Sequence, residues 1–354
     1  MKHIFLLSGD YVDLGNEEVL SLFNVKNHKL IDRLLIAGLI ENIDGKIIKR
    51  LALTKNIYKF LFKCKINELT ESMKNFGWNS VYNGSFCLRV SNFGYDNKNI
   101  KKNQKEFSEK NLAGYIWRAV TKPKVSLENP KTEISIFFVK DGVYCGLLIK
   151  KLDYDFDSRK SHMRPFPHPS SLHPKVARAL VNMSEIKEDE ILLDPFCGTG
   201  GFLIEAGLMN IKTVGYDINK IMINGCKENL EYFKINNCKI KTKNALDIND
   251  AFDCAVTDLP YGLNSNVCTD NSNNNWKENR INKKIQTKNF KKNLELFYLK
   301  FLKNLRKKLK KKAVIVFPSY VDYKKLLKES NFTIEKEFSI YVHRSLTRKI
   351  VKIS

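Results

Sequence analysis

The segment ILLDPFCGTGGFLIEAGLM (191–209) decides how this chain folds. ILLD is a short apolar run of strand character and GFLIEAGLM continues as a helix, so DPFCGTGG (194–201) forms the turn between them. Gly198, Gly200 and Gly201 let the backbone turn sharply and come close to a ligand. The helix start behind them offers N–H groups that have no partner inside the helix. A phosphate loop would carry a Lys-Ser/Thr pair after the glycines, and none is present.

Outward from this turn, strands and helices alternate. TVGYD (213–217) reads as the next strand and a helix runs through Ile221 to Phe233. KIKTKNA (239–245), CAVTD (254–258), a helix and AVIVFP (313–318) follow. Such alternation predicts a parallel sheet covered on both faces. After Ser330 the pattern changes: Phe332, Ile334, Phe338, Ile340 and Val342 alternate and RKIVKI follows, which predicts an antiparallel hairpin at the sheet's end. Asp217 lies 23 residues after Asp194 and closes the second strand, suited to hydrogen-bonding two ribose hydroxyls. Loop and acid together indicate a nucleoside cofactor without separating NAD from S-adenosylmethionine. The form DPFCGTGG departs from G-x-G-x-x-G and resembles the first motif of class I methyltransferases. The cofactor set is then Asp194, Phe196, Gly198, Thr199, Gly200, Asp217, Ile218, Asn244, Ala245 and Asp258. Asn244 falls where relatives usually carry an acid that reads the adenine amine, so either Asn244 or Asp247 serves there.

The second informative stretch is VTDLPYGLN (256–264), where a strand ends in an acid, a proline and an aromatic ring. An exocyclic base amine is a poor nucleophile because its lone pair is delocalised into the ring. A carboxylate accepting one N–H and a backbone carbonyl accepting the other draw that nitrogen toward a tetrahedral shape, its lone pair aimed at a sulfonium methyl. This is proximity plus preorganised electrostatics, and it needs no metal. Asp258 supplies the carboxylate, Leu259 the carbonyl, and Pro260 fixes the backbone between them. Tyr261 stacks on the base, a contact worth about 1–3 kcal/mol in comparable sites. The base has to leave its stack to arrive there.

The first half is organised differently. SFCLRVS (85–91) and EISIFFVKDGVYCGLLIK (133–150) alternate as strands, with Asp141-Gly142 marking a tight hairpin turn. Leu112, Tyr115, Ile116, Ala119 and Val120 mark one face of a helix between them. This is an α+β module, and LDYDFDSRKSHMRP (152–165) carries the boundary, giving domains 1–155 and 156–354. Between Leu263 and Asn293 a polar segment holds ten asparagines in residues 264–293 and is expected to be a mobile loop. It leads into a helix with Leu294, Phe297, Tyr298, Phe301, Leu302, Leu305 and Leu309 on one face. Residues 291–312 carry ten Lys/Arg and one Glu, either a solvated face or a phosphate-tracking surface.

Lys+Arg 61 against Asp+Glu 38 gives a net charge of +23, which points to a polyanionic partner, although a lysine-rich coding bias would give the same balance. The eight cysteines are scattered without a CxxC pair, which supports neither a zinc knuckle nor a disulfide scaffold and suits a reducing cytoplasm. No run approaches membrane-spanning length, and MKHIFLLSGD has too short an apolar stretch for a signal peptide.

With both motifs placed, the chain resembles the THUMP-domain tRNA (guanine-N2)-methyltransferases, closest to the group that modifies guanosine at position ten. The likeness runs nearly end to end: FLLSGDYVDLGNEEVLSL, RLALT (50–54), KVSLENPKTEISIFFV, RPFPHPSSLHPKVARALVN (164–182) and VHRSLTRKIVKI (342–353). It implies an α/β class I, Rossmann-like catalytic domain with a C-terminal antiparallel hairpin, preceded by an RNA-binding region with a THUMP domain. It also implies S-adenosylmethionine as methyl donor, no metal, tRNA as partner, a monomer, and a small zinc-binding activator subunit as a further partner to test. Pro174 suits the first turn of a helix flanking the methionine end of the cofactor. Leu259 replaces the first proline of the family's Asp-Pro-Pro-Tyr, where only the carbonyl is used. His168 and His173 have no cysteine or carboxylate ligands near them in sequence and are structural or RNA-facing. Arg89, Arg164, Arg344 and Arg348 are candidates for phosphate contacts, each balanced against a surface ion pair. The rivals are an N2-guanine methyltransferase at another tRNA or rRNA position, a DNA adenine amino-methyltransferase, and a decayed RNA-binding fold. The acid heading DLPY favours position ten, where enzymes acting elsewhere often carry Asn.

Overall fold

The computed structural model describes residues 1–94, 106–169, 171–261, 280–344 and 346–354. It divides into two compact units, Met1–Tyr154 and Asp155–Ser354.

The first unit is one seven-stranded sheet with helices against it. Its strands are β1 (Lys2–Leu7), β2 (Val25–Ile31), β3 (Leu34–Leu39), β4 (Thr54–Cys64), β5 (Phe86–Phe93), β6 (Thr132–Val139) and β7 (Gly142–Lys151). The order is β2-β3-β1-β4-β7-β6-β5, antiparallel except for β5 beside β6. Helices α1 (Val12–Leu22), α2 (Gly45–Arg50), α3 (Leu69–Asn75) and α4 (Glu109–Ala119) connect them. The parallel β5–β6 pair needs a crossover, and α4 lies on it with Leu112 and Ile116 wholly buried. The tight hairpin turn lies one residue earlier than its Asp-Gly pair suggested: Val139 pairs directly with Gly142, so Lys140 and Asp141 form it and the glycine already belongs to β7. Strands β1 to β4 had no clear alternation in sequence. β2 is exposed along most of its length, so no buried face marks its period.

The second unit carries β8 (Ile191–Asp194), β9 (Lys212–Asp217), β10 (Cys238–Thr242), β11 (Cys254–Asp258), β12 (Ala313–Pro318), β13 (Ile334–His343) and β14 (Leu346–Ile353). The order is β10-β9-β8-β11-β12-β14-β13. The first five run parallel, and the predicted hairpin closes the sheet with β14 antiparallel to β12. Helices α5 (Pro174–Met183), α6 (Gly201–Leu208), α7 (Lys220–Tyr232), α8 (Arg280–Lys308) and α9 (Tyr323–Glu329) complete it. One core cluster joins Leu294, Tyr298, Phe301, Leu302 and Leu305 of α8 to Ala255, Leu259, Ile315 and Phe317 of the sheet. Another joins Leu203 and Ile204 of α6 to Ile223, Cys226 and Leu230 of α7. The chain order reverses between β8 and β11, and in open α/β sheets ligands bind beyond the strand ends at such a reversal.

The expected loop over 264–293 is shorter than its composition suggested, because α8 begins inside it at Arg280. Lysine-rich sequence is compatible with helix, and a helix anchored by a buried face extends backward at one hydrogen bond per residue. The remainder of that expectation, 264–279, lies outside the described residues. Among the described residues no helix is long and apolar enough to cross a membrane.

Candidate active site

The strand-to-helix turn after β8 is built as its glycines require. Gly200 sits at φ +87° and forms the N-cap of α6, and a Cβ there would lie 2.8 Å from the Cys226 Sγ. Neither the left-handed backbone nor that approach tolerates a side chain. The turn is fixed from three sides. Asp194 Oδ1 accepts from the Phe196 N–H at 3.2 Å and from the Thr257 hydroxyl at 2.9 Å. Burial, reinforced by Asp217 and Asp258, pushes Asp194 up to about 8. Asp217 Oδ2 accepts from the Gly198 N–H at 3.0 Å and its Oδ1 from Asn219 N–H at 2.8 Å. Burial raises the Asp217 carboxyl, and these two N–H groups partly offset that.

The third tie comes from Asn229, which sequence reading did not single out. Its side chain is wholly buried and donates to the carbonyls of Phe166 and Thr199, each at 3.0 Å, while accepting from Phe166 N–H at 3.0 Å. It thereby fastens the segment before α5 to the glycine turn. Asn229→Ala would strand these buried backbone groups. It is expected to destabilise the catalytic unit by about 2–3 kcal/mol and to weaken cofactor binding several-fold, read by chemical denaturation and calorimetry. A buried carboxylate holds the same segment: Glu205 pairs with Arg159 at 2.8 Å and Arg178 at 2.8 Å. Pro174 occupies the first turn of α5, and His173 Nδ1 caps it by accepting from Lys175 N–H at 3.2 Å.

A cavity of about 1240 Å³ lies over the sheet reversal. Of the expected cofactor set, Asp194, Phe196, Gly198, Thr199 and Asp217 line it from the β8 and β9 ends. Ile218, Asn244 and Ala245 continue that wall, Asp258 of the same set lines the cavity from the end of β11, and only Gly200 is absent from the lining. Asn244 and not Asp247 is on that wall. Its Oδ1 is taken by Leu246 N–H at 2.9 Å, which orients the amide, while Asp247 is exposed. The wall fits an adenosyl group on its own features. A Cβ at Gly198 would meet nothing within 4 Å, so the backbone there opens onto free space. Asp217 has spent one acceptor direction per oxygen on the loop, and an ionised carboxylate has about four in all. Ile218 is 63% exposed and offers an apolar flank.

Leu259, Pro260 and Tyr261 line the same cavity in continuation of Asp258. Leu259 packs its side chain into the core cluster. The backbone of the turn is pinned by two tyrosines. Tyr298 hydroxyl donates to the Pro260 carbonyl at 2.6 Å and Tyr320 hydroxyl to the Tyr261 carbonyl at 2.5 Å. Tyr261 does more than offer a ring: its hydroxyl donates to Asp258 Oδ1 at 2.5 Å and accepts from Arg348 Nε at 2.8 Å. Arg348 also reaches Asp258 Oδ2 at 3.4 Å. Burial pushes Asp258 up to about 6, with Arg348 and the Tyr261 hydroxyl holding it back. Burial and the neighbouring Asp258 raise the Tyr261 phenol far above its ordinary range, so it stays a donor.

Two of the arginines expected at phosphates are placed elsewhere. Arg348 is 9% exposed and serves Asp258 and Tyr261. Arg164 is 4% exposed and donates through Nε to the Arg159 carbonyl at 2.9 Å. Arg348 stands within β14 of the sheet and Arg164 lies beside Gly201 at the start of α6, where charge alone could not reveal burial. Arg344 is exposed in the turn before β14, and Arg89, in the first unit, bonds the Leu127 carbonyl at 2.9 Å and faces Glu109 at 3.5 Å. His168 lines the cavity, and its N–H and carbonyl bond the Ser161 hydroxyl, whereas His173 also faces Asp157 at 3.4 Å.

Comparison with known proteins agrees with this geometry. Residues 161–273 match the family described as RMKL-like, methyltransferase domain. The chain is 30% identical over 309 residues to the tRNA (guanine(10)-N2)-dimethyltransferase of Methanothermobacter thermautotrophicus, covering 85% of this chain and 82% of that one. It is 29% identical to the protein of the same name from Pyrococcus abyssi, covering 95% and 94%. Among solved structures, TrmN from Thermus thermophilus matches with a TM-score of 0.51 and 15% identity, over 100% of this chain and 99% of that one. That likeness is one of fold, and the fold is that of a Rossmann-like methyltransferase.

Proposed function

The chain belongs to the tRNA (guanine(10)-N2)-dimethyltransferase family, and from that premise we propose that it methylates the exocyclic N2 amine of guanosine at position ten of tRNA. The products are N2-methylguanosine and, as the relatives' name has it, the dimethylated form. When bound, S-adenosylmethionine supplies a methyl carbon made electrophilic by the adjoining sulfonium.

What carries the reading is one cavity with two walls. The glycine turn and Asp217 form the wall suited to the adenosyl and methionine parts, and Asp258 to Tyr261 form the wall suited to a base. Asp258 accepts one N–H of the guanine amine and the Leu259 carbonyl accepts the other, so the nitrogen lone pair is freed from the ring. Asp258 then takes the proton that the amine sheds, a task matched to a carboxyl pushed up to about 6. Tyr261 offers its ring face to the base while its hydroxyl orients Asp258. We assign tRNA docking to residues 1–155, on their likeness to a THUMP-containing region, with Arg89 there and the exposed Arg344 of the second unit as the arginines that meet phosphate. Exposed Lys300, Lys303 and Lys307 of α8 add positive charge to the catalytic unit.

The deciding measurement is nucleoside analysis of tRNA after incubation with the chain alone and S-adenosylmethionine. Methylated guanosine is expected, lost when position ten is changed to adenosine. No methylated guanosine on any tRNA, with or without a zinc-binding activator, overturns the reading.

A further inference from the structure

The Leu259 carbonyl is the second acceptor in the reading above, so any competing donor matters. β11 and β12 run parallel with Asp258 paired to Val316, and Leu259 N–H donates to the Val316 carbonyl at 3.1 Å. In a parallel ladder, a residue that donates to one position on its neighbour accepts from the N–H two positions further along that neighbour. The donor due at the Leu259 carbonyl is therefore that of position 318. Position 318 is proline, which has no N–H.

The other side of β12 confirms which way this nitrogen faces. Ser319 N–H donates to the Thr347 carbonyl at 2.9 Å, and Pro318 pairs with Arg348 in the same antiparallel register. Bonded and non-bonded pairs alternate along such a ladder, so Ser319 turns to β14 and the backbone of Pro318 turns to β11. β12 is an interior strand with neighbours on both sides, whereas proline in sheets ordinarily sits on edges or at bulges. The two carbonyls that follow it are taken: Tyr298 holds that of Pro260 and Tyr320 that of Tyr261. Among the described residues nothing donates to the carbonyl of Leu259, and Leu259 lines the cavity.

We propose that Pro318 is a positioning residue that withholds the ladder N–H from the Leu259 carbonyl, leaving that oxygen to receive the second N–H of the substrate amine. This rests on the reading of Leu259 as an acceptor for the base. An N–H at position 318 would engage the oxygen before substrate arrives and draw the end of β11 toward β12. The loss would fall on the chemical step, because neither the cofactor wall nor the tRNA-facing surface is touched.

The test compares Pro318→Ala with a variant carrying lactic acid at 318, in which an ester oxygen replaces the N–H. Pro318→Ala is expected to lower kcat for tRNA methylation about 10-fold, with the KM for tRNA and the affinity for S-adenosylmethionine within two-fold of wild type. The amide proton at 318 should exchange slowly, as a bonded ladder proton does. The ester variant also lacks the proline ring yet should recover most of kcat. Equal kcat in wild type and Pro318→Ala, a fast-exchanging amide at 318, or equal losses in the alanine and ester variants each overturn the proposal. A wild-type chain that methylates no guanosine defeats the underlying reading instead, and the proposal with it.

Discussion

Asp258→Ala is expected to lower methyl transfer by at least about 10³-fold while leaving affinity for S-adenosylmethionine within a few-fold. The carboxylate stands on the base side of the cavity, held by Tyr261 at 2.5 Å and Arg348 at 3.4 Å, and neither contact reaches the glycine turn. The cofactor wall keeps its own supports in Asp194, Asp217 and Asn229, so truncation at 258 removes an acceptor without dismantling the loop. Asp258→Asn separates geometry from charge. Its carbonyl oxygen can still accept one N–H, so it should keep more activity than alanine, but it cannot take the proton that the amine sheds. Isothermal calorimetry with the cofactor and single-turnover methylation of tRNA give the two readouts. Loss of cofactor binding in Asp258→Ala would place the residue in the cofactor site and sink its assignment as the amine acceptor.

The contrast between Asp258 and its supports shows what a sequence can and cannot reveal. The glycine turn, Asp217 and the DLPY acid stand at strand ends in a parallel sheet, and their local spacing alone places them at one crevice. Asn229, Pro318 and Arg348 act through pairing register and packing. Arg348 meets Tyr261 across 87 positions of sequence, and only the antiparallel seating of β14 against β12 brings it there. Its charge suggested the surface, and its burial depends on a carboxylate that no local pattern could pair with it. The same limit applies to β1 and β2: β1 is buried on both faces from His3 to Leu7 and β2 is exposed along most of its length, so neither shows the alternation on which strand reading depends. Tyr261 falls between the cases: its place at the end of β11, lining the cavity, was legible, its hydroxyl as a carboxylate donor was not.

Arg348→Met should convert that hidden contact into a shift of the pH profile. Burial is the main cause that lifts Asp258 to about 6, and Arg348 opposes it as the nearest positive charge. Asp258 works ionised, so in the wild type activity rises as pH rises through about 6 and is lost below it. Removing the guanidinium leaves only the Tyr261 hydroxyl against burial, which disfavours the charged form, so the rising limb moves to higher pH by about one to three units. At pH 7 a larger share of Asp258 is then protonated, and kcat should fall about 2-fold for a shift of one unit and about 90-fold for a shift of three. Raising the pH toward 9 should restore much of it, which a merely misfolded site would not allow. Arg348→Lys keeps the charge but not the fork that serves both Tyr261 and Asp258, so its limb should lie between the other two. An unshifted limb with a uniformly lowered kcat would mean that Arg348 positions Tyr261 alone and leaves the ionisation of Asp258 to the rest of the cavity.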